Sequence, residues 1–85
     1  MEAAEIETLL KDALNLSEVH VRSEGSHYTI IAVGDELHAM SRVKRQQAVY
    51  GPLTDKIADG SMHAISIKTF SESDWQRDKA LHLPG

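Results

Sequence analysis

Residues 19–33, VHVRSEGSHYTIIAV, constrain the fold most, because two β-rich runs meet there at a glycine turn. In VHVR (19–22) Val19 and Val21 share one face, and His20 and Arg22 share the other. HYTIIAV (27–33) is rich in β-branched and aromatic residues, and EGS (24–26) supplies the turn, so the stretch predicts a β-hairpin. GDE (34–36) closes the second strand. By parity, His20 is expected to face away from the core.

Helical spacing flanks the hairpin. Ile6, Leu9, Leu10 and Ala13 recur at i, i+3, i+4 and i+7 within residues 3–14, the pattern of an amphipathic helix. Glu2, Glu5 and Glu7 crowd its first turns, where the helix dipole favours negative charge. From about Ala39 to Ile57 the spacing returns through Met40, Val43, Tyr50, Leu53 and Ile57, interrupted by Gly51-Pro52. Proline clashes with a preceding helical turn but suits the first turn of a new helix. Two helices are therefore expected, about 39–50 and 52–59, with a break between them and Gly60 as the stop. HAISIKTF (63–70) reads as a third strand, and Ser71 heads a Ser-x-x-Asp capping box for a last helix that carries Trp75. The expected fold class is α+β, in the order α-β-β-α-α-β-α. One domain, residues 1–85, has helices covering a small three-stranded mixed sheet.

Size and composition narrow the chemistry. A chain of 85 residues has one modest core and no room for a deep enclosed active site. The first residues, MEAAEIETLL, carry acids where a signal peptide carries positive charge, and no window approaches the ~18 apolar residues of a membrane span. Cysteine is absent, so neither disulfides nor an all-thiolate metal site can come from this chain alone, and a cytoplasmic location is expected. Phosphate-cradling, dinucleotide-binding and nucleophile-elbow motifs are missing, as is a His-Glu-x-x-His helix. No carboxylate pair stands out as acid and base, so a non-enzymatic role is expected. The net charge of −4 argues against general nucleic-acid binding, yet SRVKRQQAVY (41–50) holds Arg42, Lys44 and Arg45 and no acid. That cluster reads either as a contact patch or as a solvated helix face.

Five histidines need assignment. His82 falls in the tail and receives no role, and His38 falls in the polar turn before the long helical region, where a surface position is expected. His27 and His63 differ, because each heads a strand beside a turn. His63 shares the parity of Ile65 and Ile67 and reads either as a packed strand histidine or as a ligand. His27 reads either as a turn residue or as a ligand. Two imidazoles at strand mouths supply half of a metal site if the sheet brings them together.

In GSHYTIIAV, SRVKRQQAVYGPL and MHAISIK the sequence resembles the BolA family, in particular its short IbaG branch. Arg42, Val49, Tyr50 and Leu53 match the family's Arg-x-x-x-x-x-x-Val-Tyr-x-x-Leu spacing, MHAIS matches its histidine motif, and Trp75 matches the aromatic after the last strand. The resemblance runs from the first helix to Trp75. It implies an α-β-β-α-α-β fold with an added C-terminal helix, similar to the class II KH arrangement. The Gly-x-x-Gly loop of true KH domains is absent, so KH-style clamping of nucleic acid is not implied.

Two functions follow from the resemblance. In the first, a BolA-like protein pairs with a monothiol glutaredoxin and shares a [2Fe-2S] cluster with it. His63 matches the family's C-terminal ligand, and His27 best matches the second ligand, from the loop between the first two strands. Such a cluster takes four ligands, and histidine replaces cysteine at one iron in Rieske centres. The resemblance assigns the two thiolates to the glutaredoxin cysteine and to glutathione, with Arg42, Lys44 and Arg45 helping to dock the partner. In the second, the helix-turn-helix region uses the same basic residues to contact DNA and alter transcription linked to cell shape and stress. Many family members carry an Arg-His-Arg cluster where this chain has RVKR, which keeps the charge and removes one imidazole. A weak homodimer is a further arrangement left open.

Overall fold

Antiparallel and parallel pairing meet on one central strand. The computed structural model describes residues 3–25, 27–60, 62 and 64–82. Strand β1 (Glu18–Glu24) pairs antiparallel with β2 (His27–Val33), and β2 pairs parallel with β3 (Ala64–Phe70). The result is the expected small mixed sheet, in the order β1-β2-β3. Glu24 lies opposite His27, so the hairpin has a two-residue connection. Gly25 opens it with φ of 62°, a left-handed conformation that costs any residue with a Cβ.

Parallel pairing requires a crossover, and helical segments supply it. Helix α1 (Ala3–Ala13) precedes the sheet. The crossover contains α2 (Asp35–His38), α3 (Arg42–Tyr50), a 3-10 turn (Gly51–Leu53) and α4 (Thr54–Ala58), and α5 (Glu72–His82) follows β3. The α+β class and most of the expected order are found. The departures have local causes.

Helix α2 occupies what reads in sequence as the close of β2 and a polar turn. One turn of helix is too short to show a hydrophobic period. It is nevertheless anchored: Leu37 is buried in the core, and Asp35 Oδ1 accepts the Glu72 backbone N–H at 2.9 Å. Helix α3 starts at Arg42 rather than about Ala39, because Ser41 caps it, its Oγ accepting the Lys44 N–H at 3.3 Å. The expected break at Gly51-Pro52 is found as the 3-10 turn that separates α3 from α4, with the second helix starting at Thr54 rather than at about residue 52. Gly51 keeps right-handed helical angles, φ −48° and ψ −55°, and Pro52 sits in the 3-10 turn that leads directly into α4. Gly60, at φ 84°, ends the run as expected, and Ser71 Oγ caps α5 by accepting the Asp74 N–H at 3.2 Å.

Both faces of the sheet are covered. Val19, Tyr28, Ile30 and Ala32 meet Ile6 and Leu10 of α1, with Leu37, Val49, Leu53 and Met62 completing the main core. On the opposite face Ile31 and Val33 pack with Trp75 of α5 and Phe70. His20 therefore does face away from the main core, but into this second cluster. Its ring stacks on Trp75 at 5.3 Å between centroids. His82, expected in the tail, ends α5 and packs on Phe70 at 4.9 Å. His38 closes α2, with Nε2 4.0 Å from Asp74 Oδ2. Also on α5, a hydrogen bond from Arg77 holds the Asp78 carboxyl below its ordinary range.

Helix α3 turns Val49 inward, not Val43, which is 63% exposed; Tyr50 and Ile57 are 36% and 37% exposed. The segment carries two apolar rows, and spacing alone does not say which row meets the sheet. Among the described residues no helix is long and apolar enough to cross a membrane.

Candidate functional site: a strand mouth and a basic helix

Parallel pairing brings the starts of β2 and β3 side by side. His27 lies opposite Ala64, the residue that follows His63 in sequence, and adjacent strands are about 4.8 Å apart. His63 itself lies outside the described residues. His27 is exposed, yet it is paired within the sheet rather than loose in the turn. Its Nε2 is 3.2 Å from Ser66 Oγ on β3. When Nε2 carries the proton and donates to that hydroxyl, Nδ1 keeps a lone pair for a metal.

Among the described residues no group of three or more His, Asp or Glu side chains is arranged to hold a metal ion. The rim thus carries one exposed imidazole, and the chain contains no thiol.

The first turn of α3 holds Arg42, Lys44 and Arg45 and no acid, although the helix dipole disfavours cations there. The structure divides these three. Arg42 and Lys44 are exposed, whereas Arg45 is half-buried and donates from Nη1 to Thr69 Oγ1 of β3 at 3.1 Å. Arg45 Nε is buried without a partner among the described residues. The expected three-residue patch is thus two exposed cations beside one anchored guanidinium. Arg42, Arg45 and Gln46 line a crevice with Ile67 and Thr69.

The family model for BolA-like protein matches residues 5–74. The chain belongs to the BolA family. It is 52% identical over 82 residues to the acid stress protein IbaG of Escherichia coli strain K12, covering 96% of this chain and 98% of that protein, which identifies the IbaG-like branch. The BolA fold is equally clear in solved structures. Mouse BolA1 superposes with a TM-score of 0.78 at 24% identity, covering 98% of this chain and 75% of that one. Arabidopsis thaliana BolA1 gives 0.73 at 24% identity, over 87% and 98%. The BolA motif residues Arg42, Val49, Tyr50, Leu53 and MHAIS all fall inside the matched segment, and Trp75 lies one residue past it.

Within this BolA domain, Ser66 and Thr69 are the site residues that sequence reasoning misses. Ser66 meets His27 across a separation of 39 residues, and Thr69 meets Arg45 across 24. Both contacts depend on the packing of β3 against distant segments, which no local pattern reveals.

Proposed function

We propose that this chain is a non-enzymatic partner of a monothiol glutaredoxin and shares a [2Fe-2S] cluster with it, acting in iron–sulfur cluster trafficking or in iron and stress regulation. The observation that carries this reading is the register that puts exposed His27 beside the start of β3, where the sequence runs from His63 into Ala64. Two imidazoles from this rim, the glutaredoxin cysteine and the thiolate of glutathione make up four ligands. The cluster, when bound, is the cargo or the signal. The chain's own residues present nitrogen donors, and Ser66 orients the His27 ring.

The same reading gives the outer row of the helical segment a purpose. Val43, Tyr50 and Ile57 are spaced seven residues apart and exposed, next to the exposed cations Arg42 and Lys44. Apolar side chains rimmed by charge suit a protein partner.

Acid enters naturally. The E. coli relative is named for acid stress, and imidazole binds iron only with the ligating nitrogen deprotonated. The shared cluster should therefore weaken on acidification. The test follows its visible circular dichroism from neutral pH downward in a mixture with glutaredoxin and glutathione. Loss of signal on acidification, at a higher pH than for the glutaredoxin homodimer's all-thiolate cluster, is expected. A pH dependence identical to that of the homodimer would remove histidine ligation from the account.

Arg42 and Lys44 also favour a second reading, as a DNA-binding regulator of cell morphology and stress response, because both are exposed and neither has an ion-pair partner among the described residues. Three basic side chains offer few phosphate contacts, so log affinity should fall with log salt by about 0.9 per contact, a shallow slope in total.

A further inference from the structure

We infer that the crevice between α3 and β3 binds the phosphate group of a small phosphate monoester or of free phosphate, through Arg42, Arg45, Gln46 and Thr69. Arg42, Arg45 and Gln46 stand at i, i+3 and i+4 and so share one face of α3, and Thr69 faces them from β3. The Arg45 guanidinium is already oriented. Its Nη1 is held by Thr69 Oγ1 at 3.1 Å, and on the Nε–Nη2 edge, the edge that grips an oxyanion side-on, Nε is buried without a partner among the described residues. A buried, unpartnered Nε–H is costly, and an acceptor there removes the cost.

Charge points the same way. Two guanidiniums share the crevice, no carboxylate lines it, and neither arginine is in an ion pair among the described residues. Like charges one helical turn apart repel, and on an otherwise acidic chain that breaks a local rule. A dianion matches two guanidiniums better than a single charge does, which favours a terminal phosphate over a carboxylate or a backbone phosphodiester. The crevice holds about 190 Å³. That is below the ~300 Å³ at which pockets enclose a whole small molecule, so it takes the phosphate and leaves the rest of the ligand outside.

The test is an NMR titration of the full chain with sodium phosphate near pH 7.5, observing backbone amides, arginine Nε–H groups and the Gln46 side-chain amide. Sodium acetate and sodium chloride at matched ionic strength are run alongside. Saturable shifts confined to Arg42, Arg45, Gln46 and Thr69, seen with phosphate alone, are expected. Arg45→Lys keeps the charge and removes the fork, and Thr69→Val removes the anchor; each should weaken binding at least tenfold in a variant whose spectrum shows the native fold. Equal shifts with acetate or chloride, or an affinity unchanged in Arg45→Lys, would overturn the assignment. A last arm compares an oligonucleotide with and without a 5′-phosphate. Preference for the phosphorylated strand supports the monoester site, and equal binding of both makes the crevice a nucleic-acid backbone contact and overturns it.

Discussion

Trp75 holds α5 against the second face of the sheet, fully buried among Ile31, Val33 and Phe70, with its indole Nε1–H unpartnered among the described residues. Trp75→Ala should cost about 3–5 kcal/mol in urea unfolding followed by far-ultraviolet circular dichroism, much of the about 4–13 kcal/mol usual for 85 residues. Trp75→Phe should cost clearly less, since it keeps a ring beside Phe70 and removes a donor that has no acceptor among the described residues. A cost below about 1 kcal/mol for Trp75→Ala would mean that this second cluster contributes little. Gly25→Ala places a Cβ at positive φ and should lower stability by about 1–2 kcal/mol, a fall in Tm of at least about 4 °C. An unchanged Tm would show that the turn relaxes. At this scale the sequence marks His27 and His63 by their places at strand starts. It cannot mark Ser66, whose partner lies 39 residues away, or the stacking of His20 on Trp75, because parity names a face and not what covers it.

Among the elements, α3 starts where a single side chain, Ser41, caps it. Ser41→Ala removes the hydroxyl that accepts the Lys44 N–H and should cost about 1 kcal/mol, read from the denaturant midpoint at constant slope. Its outer row gives a separate test. Val43→Glu changes an exposed position, so stability should move by no more than about 0.5 kcal/mol. Affinity for the glutaredoxin should fall at least tenfold by isothermal titration calorimetry; unchanged affinity would take Val43 out of the docking face. The strands and α1 are legible because their periods repeat, and α5 is legible from its Ser-x-x-Asp cap. The α2 turn is invisible for lack of length, whereas Gly51-Pro52 correctly marks where α3 gives way to a 3-10 turn, which accepts proline in its first positions.

For the molecule as a whole, the proposed function rests on what the mixed sheet juxtaposes. The hairpin fixes β2, and the crossover returns β3 parallel to it, so two segments far apart in sequence begin at the same edge. A chain without cysteine brings no thiolate to that edge, so the proposed cluster takes its thiolates from the partner. The order of elements and the family motifs make this architecture readable before any coordinates, whereas the division of the basic cluster into exposed and anchored cations comes only from the packing of α3 on β3. The measurement that tests the account most directly is anaerobic cluster reconstitution with a monothiol glutaredoxin and glutathione, followed by absorbance and visible circular dichroism, for wild type, His63→Ala and His27→Ala. The account predicts a spectrum distinct from that of the glutaredoxin homodimer, abolished by His63→Ala and altered by His27→Ala. A spectrum that is the same with and without this chain would contradict it and leave DNA binding through α3 as the leading function.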